Sequence, residues 1–531
     1  MIRMRLAAVA ALFLVSACAT SPLPIETRAA NWWADVEALS NDGMEGRAAG
    51  SLGYDRAARF VADRFAALGL EPAGTEGYFQ PVALEERRVS LTLSSAALVA
   101  EGVATPLAMP TDAYFRVRGG PPPSQIDGRL VFLGYGLHIP EAGHDDLAGV
   151  DLRGAVAVVV SGGPAHISGA LKSHARSELA RLLVARGAIG LISLSTPAQL
   201  EAPWERTASA YSAQPGMYFA DTALQEPGPL LAIAFNPAAA ERLFGRSGHR
   251  FAEVAAAADA SRPVPGFALN QSLRATVVTE GRALAAPNVV ARLPGRDPSL
   301  AAEHVVLTAH LDGLGIGVPR DGDAISNGTL DNAAGVAALL DIATRYRRER
   351  ARPRRSILFV ALTGEERGLL GSRYFARRPS VPASSIVANL NYDMALPLFP
   401  LTSVNALGAE ESSLGADSAA VAAALGMSLT PDAFPNRNAF TRSDQYSFVE
   451  QGIPALAFKF GFAANTPQAE IERRWRATRY HMPSDDPAQP VMREDEIRLH
   501  DFIAALALRV ANADQRPRWN ETSFFRRFVR P

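Results

Sequence analysis

The chain has 531 residues, with 53 Lys and Arg against 54 Asp and Glu and a formal net charge of −1 at pH 7. That balance gives no electrostatic case for nucleic acid as a partner, and 48% hydrophobic with 20% charged residues is ordinary globular composition. The length is too great for one core and predicts two or three domains.

Residues 1–18, MIRMRLAAVAALFLVSAC, set Arg3 and Arg5 ahead of an apolar run from Leu6 to Val15. The run is too short to span a bilayer and has the form of a secretory signal. Val15-Ser16-Ala17-Cys18 resembles a bacterial lipobox, and Cys18 is the only cysteine, so no internal disulfide can form. The expectation is an exported protein, lipid-anchored through Cys18 to a membrane of the bacterial cell envelope and facing the periplasm, with 19–30 as a polar, proline-bearing tether.

Residues 31–70 read as helix, loop and helix, with Ala57, Phe60, Val61, Phe65 and Leu68 on one apolar face. The loop MEGRAAGSLGYD (44–55) contains glycines that permit positive φ, and the residues alone assign no chemistry to its Arg47. RVSLTLSSAALVA (88–100) alternates like strands, so a first domain segment occupies 31–106. GGPPPS (119–124) marks a boundary. From 107 to 265 the segments 129–136, 145–164, 177–195 and 230–236 read as strands around a helix ending near Gly187. His138, His144, His166 and His174 fall here at spacings that match no paired ligand motif, which predicts solvated roles.

Strand-like patterns resume at 267–278 and 286–298, and the chemistry follows. HVVLTA (304–309) is short, β-branched and bounded by polar turn residues, as a buried strand is. It delivers His310 to its carboxyl end, where open α/β sheets place their ligand sites. Asp312, two positions on, is placed to orient the imidazole. Asp331 lies in a Gly/Asn-rich loop that opens the strong helix former AAGVAALLDIATRY (333–346). A second apolar strand, ILFVAL, ends in Glu365-Glu366; adjacent carboxylates there are unfavourable unless something positive neutralises them. A third, within SIVANLNYDMA (385–395), ends at Asp393, and RYHMPSDD (479–486) adds His481. Taken singly these residues are a core histidine, a helix cap and an exposed glutamate pair. The recurrence of strand-end ligands argues otherwise, because five ligands plus a spare carboxylate fit two metal ions sharing one bridging carboxylate, with a base beside them.

Farther on, 416–426 reads as a helix and Asp444 as a helix cap in preference to a supporting residue of the site. Residues 461–478 read as an irregular loop. DEIRLHDFIAALALRVANA (495–513) is an amphipathic helix on which His500 is structural, and 516–531 is a C-terminal tail whose basic end, RRFVRP, reads as solvated.

The stretches TAHLDG, DGDAISNGTLDNAAG, LTGEERGLLGS, NYDM and YHMPSDD resemble, in order and spacing, the bizinc aminopeptidase family that includes the glutamate carboxypeptidases, glutaminyl cyclases and transferrin-receptor ectodomain. The resemblance covers roughly 31–100 and 266–515, and GYGLHIPEAGHDDLAGVDLRGAVAVVV resembles protease-associated domains. It implies an α/β fold: a mixed central sheet flanked by helices, of the zinc-exopeptidase, phosphorylase/hydrolase-like kind. A smaller β-rich protease-associated domain is inserted at 107–265, and the catalytic domain fills 266–515. It further implies two Zn2+ ions bridged by Asp331, with His310 and Asp393 at one and Glu366 and His481 at the other. Glu365 is then the general base and Tyr480 the transition-state hydrogen-bond donor, and the Asp331–Asn332 peptide is cis. The implied activity is aminopeptidase action on peptides with a free N-terminus. A carboxypeptidase or dipeptidase is chemically close, although no arginine-rich pocket for an acidic carboxylate can be placed from the sequence. A one-zinc glutaminyl cyclase and a non-catalytic ectodomain fit the full ligand set less well.

Overall fold

The computed structural model describes residues 23–117, 120–200, 202–225 and 230–529; the signal segment and Cys18 lie outside the described residues. Two sheets organise the chain. The larger is mixed, and its four central strands run parallel in the order Ser356–Leu362, His304–His310, Ile386–Tyr392 and Ala455–Phe460. Antiparallel Thr279–Leu293, Phe79–Val89 and Gly216–Phe219 extend it on one side. Ser403–Leu407 and the short Ser428–Leu429 extend it on the other.

Strands His304–His310, Ser356–Leu362 and Ile386–Tyr392 are buried at every residue, which is why they read as continuous apolar runs. Their period of two still sorts the side chains into two cores. Val305, Leu307, Ala309, Ile357, Phe359 and Ala361 join the core of helices Ile25–Ser40, Leu52–Ala67, Ala334–Arg348 and Arg493–Asn512, whereas Val306, Leu358, Val360 and Leu362 join Phe375, Phe448, Trp519 and Phe525. Helix Ala334–Arg348 carries the chain from His304–His310 to Ser356–Leu362, and helix Leu370–Arg377 carries it on to Ile386–Tyr392. Each crossover returns the chain parallel to its predecessor, so all three strands end at one edge. There His310 lies in register with Leu362, and Thr308 with Asn391.

The second sheet runs Val103–Pro106, Ser95–Ala100, Phe267–Thr276, Gln125–Phe132, Val156–Val160, Gly190–Leu194, Leu231–Phe235 and Ala113–Arg116. It corrects the expected boundaries of 107 and 265. Ser95–Ala100 and Phe267–Thr276 pair with each other inside this sheet, so the smaller unit claims both flanks; period-two alternation cannot tell which sheet a strand joins. Conversely Gly216–Phe219, from within the expected insert, pairs with Phe79–Val89 of the larger sheet.

Four further expectations change. Helix Ile25–Ser40 starts inside the supposed tether, because Arg28 bonds Asp341 and Asp501 at 2.6 Å each. Residues Pro467–Thr478 are helix, not loop. Thr466 accepts from the Ala469 N–H and Pro467 occupies the first turn, a start signal the sequence carried. The tail is anchored, with Trp519 and Phe525 buried and Arg527 paired with Glu141. His174, expected in solvent, packs its ring against Phe524 and Phe528. His138 and His144 pair with Asp145 and Asp146. Among the described residues no helix is long and apolar enough to cross a membrane.

His500 lies fully buried between two carboxylates, Nδ1 at 2.9 Å from Asp341 and Nε2 at 3.2 Å from Glu496. With both nitrogens facing acceptors, the ring is an imidazolium. Burial opposes the proton, but the bonds to Asp341 and Glu496 prevail and raise the group from 6.5 to about 9. A proton held more tightly in the folded chain stabilises fully below the unfolded value, and that stabilisation is lost as pH rises through the folded one. The expected outcome is a loss of about 2–3 kcal/mol of unfolding free energy between pH 6.5 and 9. Urea denaturation should show this slope in the native protein and a flatter profile in His500→Gln. Parallel profiles would contradict the assignment.

Candidate metal centre

The common edge of the three strands gathers the predicted ligands. His310 is the last residue of its strand and is buried. Its Nδ1 lies 3.1 Å from the Asp312 carbonyl oxygen. A carbonyl only accepts, so Nδ1 carries the hydrogen and Nε2 presents its lone pair to the site. That Nε2 is 3.3 Å from Asp331 Oδ1 and 3.5 Å from Asp393 Oδ1. On the other side His481 Nε2 is 3.3 Å from Asp331 Oδ2 and 3.3 Å from Glu366 Oε2. Each oxygen of Asp331 therefore serves a different triad: His310–Asp331–Asp393 and Asp331–Glu366–His481.

These separations are too long for charge-assisted hydrogen bonds, which run at about 2.7–2.9 Å. They match neighbours in a shared coordination sphere, since two atoms each about 2.0–2.1 Å from a tetrahedral zinc lie about 3.4 Å apart. Asp393 Oδ1, buried and facing His310, has no hydrogen-bond partner. Orphaned carboxylate oxygen and imidazole lone pairs aimed at common points form a donor set that fits two divalent cations.

The loop carrying Asp331 is held from three directions. Buried Arg47, itself at φ 51°, donates to four carbonyls: Leu311 at 2.8 Å, Leu39 at 2.7 Å, Asn327 at 2.6 Å and Gly328 at 2.9 Å. Burial lowers this guanidinium to about 10, and the carboxylates of Asp312 and Asp485 resist that fall. Asp485 accepts the N–H groups of Leu330 and Asp331, each at 3.0 Å. Asn332 donates to the Tyr392 carbonyl at 2.9 Å and accepts from Gly335 N at 3.2 Å, tying the loop to strand and helix at once. Gly328 sits at φ 58°, and a Cβ there would meet the Asp331 carbonyl at 2.4 Å. The Asp331–Asn332 peptide is cis.

Asp312 differs from expectation. Its backbone, not its side chain, orients His310, with the carboxylate oxygen 3.9 Å from Nδ1. The carboxylate accepts instead from Glu365 N at 3.0 Å and Glu366 N at 3.3 Å, so it sets the turn presenting both glutamates. Glu365 is not in either triad. Burial first, then the charges of Glu366, Asp393 and Asp444, hold its carboxyl well above the ordinary range against the pull of His310. Tyr480 stacks on His481 with ring centroids 3.7 Å apart, and burial pushes its phenol up, so it remains a donor. His481 adopts φ 58°, an unusual conformation for a residue with a Cβ.

Sequence reasoning missed Asp485 as a clamp and misjudged Asp444. Asp444 precedes helix Gln445–Val449 but makes no cap bond. It is fully buried with no hydrogen-bond partner for either oxygen, and burial raises it to about 7. Lys459, also missed, donates to the carbonyls of Asp393 and Met394 at 3.1 Å each.

The profile of peptidase family M28 matches residues 288–507. Leupeptin-inactivating enzyme 1 of Streptomyces exfoliatus is 32% identical over 108 residues, 20% of this chain and 22% of that protein. A probable zinc metalloprotease of Pyrenophora tritici-repentis (strain Pt-1C-BFP) is 34% identical over 76 residues, 14% of this chain and 17% of that one. The chain thus covers about a fifth of these relatives' lengths. In fold it is similar to an aminopeptidase from Aneurinibacillus sp. strain AM-1, with a TM-score of 0.54 and 19% identity over 94% of this chain and 96% of that one. Both triads fall within residues 288–507, the segment that the profile of peptidase family M28 matches.

Proposed function

We propose that this protein is a two-zinc aminopeptidase that removes N-terminal residues from peptides. The observation that carries the reading is the sharing of Asp331 between two ligand triads, with Glu365 beside them and outside both. When bound, zinc ions in such a pair supply Lewis acidity, acidifying a water and polarising the scissile carbonyl. His310, Asp331 and Asp393 would hold one ion, and Asp331, Glu366 and His481 the other. Glu365, whose burial favours taking a proton, receives it from the attacking water and returns it to the leaving amine. The Tyr480 hydroxyl donates to the oxygen on which charge develops. Asp312 keeps the base and its ligand neighbour on one rigid turn. The Aneurinibacillus aminopeptidase, alike in fold, supports the amine-end preference over carboxypeptidase or dipeptidase action.

Glu365→Gln is expected to lower kcat on a leucine-terminated peptide by at least about 10²-fold, in the range of a lost general base, with both zinc equivalents retained by elemental analysis. Glu366→Gln is expected to lose zinc instead. Equal metal loss in the two variants would overturn the division of labour. Hydrolysis should also be abolished by chelator and by blocking the peptide's α-amine; full activity on a blocked peptide would sink the aminopeptidase reading.

The segment 1–18 supports a further part of the proposal, attachment to the periplasmic face of a bacterial envelope through lipid on Cys18. Mass spectrometry of the mature protein should find a diacylglycerol-modified Cys18 at its amino terminus, and Cys18→Ser should leave the protein without lipid. A mature chain starting beyond Cys18 contradicts the anchor.

A further inference from the structure

A cavity opens beside Glu366 at the junction of the two sheets. Its cationic lining comes from three parts of the chain: Arg87 on strand Phe79–Val89, Arg116 at the end of strand Ala113–Arg116, and Arg367 on the turn after the glutamate pair. The crossing strand Gly216–Phe219 builds the junction, with Gly216 in register with Arg87. A Cβ at Gly216 would meet Val117 at 2.4 Å, so glycine is what lets the two units close here.

The arginines are held by neutral groups. Arg367 donates to Gln214 Oε1 at 2.5 Å, Arg87 donates to the Tyr218 hydroxyl at 2.9 Å, and Arg116 lies 5.9 Å from the centroid of the Tyr211 ring. Among the described residues none of the three forms an ion pair. The nearby Glu86 is already matched by Arg282 at 3.1 Å. Among the described residues Glu366 is the only carboxylate in the lining, and it faces His481 in the second triad. Three guanidinium groups line a partly enclosed space with one carboxylate, Glu366, which acts on Arg367 but is also shared with His481, so the lining keeps an excess of positive charge that suits an anion. Guanidinium is the side chain that pairs with carboxylate in a fixed fork geometry.

We infer that this cavity is a substrate-carboxylate subsite, with Arg116 and Arg87 as specificity-determining residues. The inference rests on the peptidase reading above and narrows its substrates to peptides that bring a carboxylate close to the scissile bond. The carboxylate is either the free C-terminus of a short peptide or an acidic side chain next to the cleaved residue. An insert that contributes Arg116 and the crossing strand then takes part in substrate choice.

The test is kinetic, on the zinc-loaded full chain. Leu-Gly-Gly is compared with its C-terminal amide, and Leu-Asp-Gly amide with Leu-Asn-Gly amide. The expected result is a preference of about tenfold or more in kcat/KM for the charged member of one pair, expressed through KM, as for a hydrogen bond to a charged group. The pair that shows it identifies the source of the carboxylate. Arg116→Gln and Arg87→Gln should each collapse that preference to less than about threefold, and Arg116→Lys should keep part of it. Thermal melts check that the variants fold. Equal kcat/KM within both pairs, or a preference untouched by both substitutions, overturns the subsite. Absence of turnover on every peptide would be a failure of the peptidase reading instead. In that event calorimetry of the same peptides on Glu365→Gln decides the subsite alone: tighter binding of a charged member, lost on adding Arg116→Gln, upholds it, and equal binding rejects it.

Discussion

The structure depends on one carboxylate aimed two ways. Asp331 offers Oδ1 toward His310 and Oδ2 toward His481, so its backbone must be fixed closely enough to serve both triads at once. That explains the investment around a short loop. Arg47 reaches from the amino-terminal segment to bond the carbonyls of Asn327 and Gly328, Asp485 takes two consecutive N–H groups, and Asn332 joins the loop to strand and helix. Arg47 also sets a buried positive charge behind an acidic cluster, with the carboxylates of Asp312, Asp485, Asp331 and Glu366 all acting on it. Without cations in front of them, such carboxylates would repel one another in a low-dielectric setting.

The proposed division between ligand and base rests on a similar economy. Glu365 and Glu366 are neighbours on one turn, and Asp312 bonds both of their N–H groups. The turn sends Glu366 to His481 while leaving Glu365 outside both triads. A side chain that binds no cation keeps its lone pairs for a proton, and burial among like charges raises its proton affinity.

His310, the Glu365–Glu366 pair and Asp393 were legible because they follow strands buried on both faces, which write unbroken apolar runs that stop at a charge; Asp331 and His481 lie outside strands and were legible through the family resemblance. The supporting residues were not. Arg47 lies more than 260 residues from the carbonyl of Leu311 that it bonds, and a loop arginine carries no local pattern announcing such a contact. Asp444 follows the form of a helix cap, yet its side chain is fully buried and makes no cap bond. Alternation at 88–100 identified strands but not their sheet, since period two is the same whichever partner forms the ladder. Helix Pro467–Thr478 was legible in its Thr-Pro start and was outweighed by a polar composition that resembles a loop. The arginine-lined cavity draws on residues 87, 116 and 367, a convergence that exists only once strand Gly216–Phe219 crosses from one unit to the other sheet.

The account's central claim is that two metal sites share Asp331. Calorimetric titration of zinc into the metal-stripped protein, native and Asp331→Asn, tests it most directly. The account predicts two zinc ions per native chain and a loss of affinity at both sites together in the variant. One zinc per native chain, or an Asp331→Asn variant that keeps one site at native affinity, would contradict it.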